Sequence, residues 1–178
     1  MKSTNKLSAN YCLALLATAV IAISGCSKSG VDPVDQPVNQ DQAGHTYTFA
    51  GSDDQGHVDA TGKKALFNNP NGIAIDPAGN LYVVDQGNNA IRKITPAGVV
   101  TTLAGGGPAG FVNGKGVAAS FNNPIGVTID ISNNLYGTDL NNNVIRKVTI
   151  DGKVSTFAGT GAIGFDDGAA NVATFNGP

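Results

Sequence analysis

The chain has 178 residues, 11 lysines and arginines against 13 acidic residues, a formal net charge of −2, 24 glycines and no tryptophan. With no basic stripe it lacks the electrostatic footprint of a nucleic-acid binder. Every acid is aspartate, for there is no glutamate, and abundant Asp, Asn and Gly favour turns over helices, so the composition is turn-rich and all-β.

The first element is an address. Lys2 and Lys6 precede an almost unbroken apolar run over residues 11–23, the basic and apolar regions of a secretory signal, and too short to span a membrane. It ends in Ile23-Ser24-Gly25-Cys26, which resembles the lipobox of bacterial lipoproteins, where the cysteine becomes the lipidated first residue. Cys12 lies inside the removed segment, leaving Cys26 as the one mature cysteine. Its acyl chains would anchor the protein stably to a membrane. Removing residues 1–26 takes away two lysines, leaving 9 basic residues against 13 acidic ones, or −4. Residues 27–44 hold Gly30, Pro33, Pro37 and three aspartates with only isolated valines. That composition predicts a flexible tether.

From residue 45 onward the chain is expected to be one repeat array. Phe67-Asn68-Asn69-Pro70 returns 54 residues later as Phe121-Asn122-Asn123-Pro124, and again as Phe175-Asn176-Gly177-Pro178. Ile91-Arg92-Lys93 returns as Ile145-Arg146-Lys147. A gapless period means one supersecondary unit copied and stacked. It also supplies an internal control: residues present in every unit build the unit, because a catalytic group is needed once.

Within a unit four strands are predicted, at 72–76, 81–85, 90–95 and 99–104. The first alternates bulky Ile73 and Ile75 with small Gly72 and Ala74. Asp76-Pro77-Ala78-Gly79-Asn80 is a hairpin turn, with Asp130-Ile131-Ser132-Asn133-Asn134 as its counterpart. An earlier copy of the fourth strand is expected at residues 46–50. Four antiparallel strands at a fixed repeat predict a propeller blade, with blades at about 72–104 and 126–158 and a third cut off.

Pro70–Asp76, Asn80–Asp85 and Asn88–Ile94 resemble the NHL repeat, and the second unit matches from Pro124 to Val148, departing at Gly137-Thr138. The resemblance implies an all-β, NHL-type β-propeller, here partial: two complete four-stranded antiparallel blades plus one N-terminal strand in an open arc. The sequence stops at Pro178, in the middle of its own pattern, which suggests a fragment of a longer ring; assembly of several copies into one ring is the alternative.

Asp85 and Arg92 recur as Asp139 and Arg146 with the same spacing of seven. Their repetition predicts a buried, structural pair between strands two and three and not an acid–base site. Phe67 and Phe121 recur likewise and are expected to seat in grooves between blades. The link 104–121 carries Gly105-Gly106-Gly107-Pro108, but no helix or Lys-Ser/Thr follows as phosphate binding would require. No catalytic residue, cofactor or metal site is expected. The resemblance also admits lactonase-like and amidating-lyase-like propellers, which would keep metal and catalytic residues in other blades. The expected role is a lipid-anchored binding or scaffold module of the bacterial envelope (outer membrane, periplasm or surface) for a protein or carbohydrate ligand. Specificity is expected where units differ, at Gln86/Leu140, Gly87/Asn141, His57/Phe111/Phe165 and Lys63/Val117/Asn171.

Overall fold

The computed structural model describes residues 46–178; the expected signal, the lipobox at Cys26 and the tether at 27–44 lie outside the described residues. The first blade is β1 (Pro70–Ile75), β2 (Leu81–Asp85), β3 (Ala90–Ile94) and β4 (Val100–Gly105), antiparallel in that order. A two-residue strand β5 (Gly114–Lys115) precedes the second blade, β6 (Pro124–Ile129), β7 (Leu135–Asp139), β8 (Val144–Val148) and β9 (Lys153–Ala158). Two antiparallel blades in an open arc make a partial propeller.

Each hairpin is closed by chemistry that recurs at the 54-residue period. The Asp76 carboxylate accepts the Asn80 backbone N–H at 2.8 Å, its side-chain N–H at 2.8 Å and the Tyr82 hydroxyl at 3.0 Å. Asp130 does the same for Asn134 and Tyr136. The left-handed position of the turn is Gly79 in one blade (φ 82°) and Asn133 in the other (φ 61°), the residues that tolerate it.

The inner strands start earlier than expected because Pro70 pairs with Asp85, and Pro124 with Asp139, across a one-residue bulge. A Cβ on Gly72 would lie 2.6 Å from the Ile125 carbonyl oxygen, so β1 and β6 meet backbone to backbone where the blades converge. Farther out, Phe121 fills the space over Gly105, where a Cβ would stand 2.8 Å from the ring. Phe67 over Gly51 and Phe175 over Gly159 repeat the arrangement. Each aromatic thus occupies the room left by the preceding unit's glycine. The main core lies between the blades, with Tyr82, Val84 and Ile91 facing Phe121, Leu135 and Val148.

Some expectations change. Residues 46–50 form coil and a bend, not a strand, since among the described residues no third sheet offers them an edge. Phe49 and Ala50 pack instead on the first blade beside Val83 and Ile94. Ile73 and Ile75 are exposed, as expected for inner strands facing an open axis. Val127 and Ile129, expected to be equally bare, pack partly against the inter-blade core because the first blade covers them. The linking loop also adds β5 to the outer edge of the second blade through Gly114 and Lys115, with a single bridge, Thr61 to Val99, in the first. Bare strand edges invite association, and these additions cover them. Thr138, where the repeat pattern breaks, accepts the Gly126 backbone N–H at 2.9 Å and so satisfies the bulge.

Candidate functional site

Two kinds of polar cluster stand at the end of the arc where β2 turns into β3: one repeated, one not. The repeated cluster begins at Asp85, the last residue of β2. The 3-10 turn Gln86–Asn88 ends on left-handed Asn89 (φ 49°) and sends the chain back as β3. Beside Arg92 the pairing of β3 and β4 slips by one residue, a bulge of the kind that re-aims a side chain.

Arg92 then reaches four acceptors. Nη1 donates to Asp85 Oδ2 at 2.7 Å and to the Leu66 carbonyl at 3.1 Å; Nη2 donates to the Val58 carbonyl at 3.0 Å and to Asp59 Oδ1 at 2.7 Å. Asp85 also accepts the Asn68 backbone N–H at 2.7 Å and Asn88 Nδ2 at 2.8 Å. The guanidinium lies 4.9 Å from the Phe67 ring centre. In the second blade Arg146 bonds Asp139 at 2.7 Å, the Ser120 and Val112 carbonyls at 3.1 Å each and Asn113 at 2.9 Å, over Phe111 and Phe121. Asp85, Arg92, Asp139 and Arg146 are all 0% exposed. A charge so buried is tolerable only when fully partnered, and neither carboxylate has a path to a substrate.

The fourth acceptor escaped the sequence comparison. It is Asp59 in the first unit and Asn113 in the second, 54 residues apart, so what repeats is an oxygen acceptor and not one residue type. Partial burial pushes the Asp59 carboxyl up, but hydrogen bonds from the Thr102 N–H and Arg92 prevail and hold it below the ordinary carboxylate value. Burial first, then the bond to Asp76, pushes the Tyr82 phenol up to about 12.

The unrepeated cluster is made of side-chain amides. Gln86 Oε1 accepts Asn69 Nδ2 at 2.9 Å and Asn71 Nδ2 at 3.1 Å, while Gln86 Nε2 donates to Asn123 Oδ1 at 2.7 Å across the blade junction. Asn69 and Asn123, expected as turn caps, take left-handed φ of 53° and 58° themselves and use their amides to bridge loops. Among the other unit-specific positions, His57 Nε2 lies 3.0 Å from Thr102 Oγ1 with its ring against Gly106. Gly87 leaves room for Asn68, whose side chain a Cβ would meet at 2.5 Å. Among the described residues no three His, Cys, Asp or Glu side chains gather as a metal would need.

Residues 67–94 match the family model described as NHL repeat. NHL repeat-containing protein 2 of Homo sapiens is 34% identical over 137 residues, 69% of this chain and 19% of that protein. A structural-genomics protein of unknown function from Bacteroides thetaiotaomicron is 36% identical, with a TM-score of 0.52 over 56% of this chain and 26% of that one. An auxiliary nutrient binding protein from the same organism is 26% identical, with a TM-score of 0.54 over 60% and 30%. The chain spans between 9% and 19% of the length of the curated relatives it matches.

Proposed function

We propose that this NHL-repeat β-propeller protein is an exported, lipid-anchored module of the bacterial envelope that acts by binding and not by catalysis. The observation that carries the reading is the contrast between the two clusters. Asp85–Arg92 and Asp139–Arg146, the pairs with acid–base character, are closed and fully buried in both blades, which supports a structural role. What the same end of the arc offers to a ligand is an exposed set of neutral amides that occurs once. Similarity to the auxiliary nutrient binding protein supports a binding role in the same direction. Cys26 would hold the module at the membrane, with residues 27–44 as its tether.

The anchored part of the proposal is tested by expressing the full chain in a bacterial host and following its partition into detergent. The protein is expected in the detergent phase, and Cys26→Ser is expected to release it or leave it unprocessed. Membrane attachment unchanged by Cys26→Ser would contradict the proposal.

A further inference from the structure

We infer that Asn69, Asn71, Gln86 and Asn123 form a binding site for a neutral carbohydrate; the inference rests on the binding role proposed above and names the ligand class. The repeat itself isolates these residues. Positions 71 and 86 carry amides in the first unit, but their counterparts 54 residues on are Ile125 and Leu140. A group needed to build a blade would have been copied, and these were not.

The fold also aims them. Asn71 sits in the one-residue bulge of β1, between the Pro70–Asp85 and Ile73–Val83 pairs, and bulges turn a side chain away from its strand position. Gln86 opens the 3-10 turn that follows β2. The two meet at 3.1 Å, with Asn69 on the same Gln86 oxygen and Asn123 reached from the other side. Four side-chain amides carry eight N–H donors. Three are used within the cluster, leaving five, and the side-chain oxygens of Asn69 and Asn71 accept no bond within it.

Spare donors and spare acceptors side by side match a sugar, whose neighbouring hydroxyls each donate and accept; the side-chain amide is the neutral group offering both. Half-exposed Ile125 and Leu140 in the next blade offer an aliphatic ledge to the C–H face of a ring. The adjoining cleft adds Asp53 and Asp54, with Lys63, beside Asn69, a net negative surround that disfavours acidic sugars. A peptide has no strand edge to extend here, because β1 is packed against β6 at Gly72.

The test uses the full chain, solubilised in a detergent without a sugar head group, on a printed array of neutral and acidic oligosaccharides and unrelated peptides. Retention of neutral oligosaccharides is expected. Gln86→Leu and Asn71→Ile, each installing the second unit's residue, should weaken that binding roughly three- to tenfold and leave the melting temperature unchanged. Neutral-sugar binding that ignores both substitutions would overturn the site. Retention of acidic sugars or peptides alone, lost in Gln86→Leu, would overturn the ligand class and keep the binding role. No retention of any neutral oligosaccharide would overturn the inference, while attachment through Cys26 is decided separately by detergent partition.

Discussion

Replacing Arg92 by leucine removes the centre of the first blade's buried cluster. Asp85 would keep its bonds from the Asn68 N–H and Asn88 but would remain a carboxylate at 0% exposure without its cation. The Leu66 and Val58 carbonyls would lose a donor as well. Breaking one partner out of a buried pair costs about 3–5 kcal/mol. At roughly 4 °C per kcal/mol for a folded part of this size, Tm should fall by roughly 12–20 °C. Calorimetry of the full chain in detergent reads this directly. A second substitution separates charge from packing: Asp85→Asn keeps an acceptor for the Asn68 N–H while removing the stranded charge. The double variant R92L/D85N should therefore melt well above R92L alone. A Tm for R92L within about 3 °C of the parent would refute the reasoning, because a pair so enclosed cannot be dispensable.

Asp59→Asn copies the second blade's solution, in which Asn113 bonds Arg146 at 2.9 Å; the Asp59 side chain is 47% exposed. Stability should change by no more than about 1 kcal/mol, and a loss above about 3 kcal/mol in urea unfolding would show that the carboxylate charge is indispensable. Tyr82 has its phenol raised to about 12 by burial and by the bond to Asp76. Its contribution to stability is therefore present below the ordinary tyrosine value and lost as pH rises through about 12. Tyrosinate absorbance should show a late step that Tyr82→Phe removes; a step removed near pH 10 instead would contradict the assignment.

Much of the blade was legible in the sequence because its causes are local. The 54-residue period, the Asp76 and Asp130 turns and the spacing of Asp85 to Arg92 each depend on residues close along the chain. The remainder depends on what comes near in space. Asp59 lies 33 residues from the guanidinium it binds, and its counterpart is an amide, so identity matching passes over it. Strand β5 is two residues long and exists only because β9 stands beside it. Residues 46–50 match the repeat as a strand, yet strand pairing needs an edge that local pattern cannot supply. The amide cluster was half visible: Gln86 stood out against Leu140. Its convergence with Asn71 and Asn123 requires the bulge in β1 and the blade junction, neither of which has a local sign.

The central claim is that repeated residues build this arc and unrepeated ones bind. It is tested most directly by measuring melting temperature and oligosaccharide affinity side by side for Arg92→Leu and Gln86→Leu, below the melting point of either. The account predicts a clean division. Arg92→Leu should lose stability and keep its affinity, and Gln86→Leu should keep its stability and lose affinity. If Gln86→Leu melts as low as Arg92→Leu, the amide cluster is another structural clamp and the division is wrong.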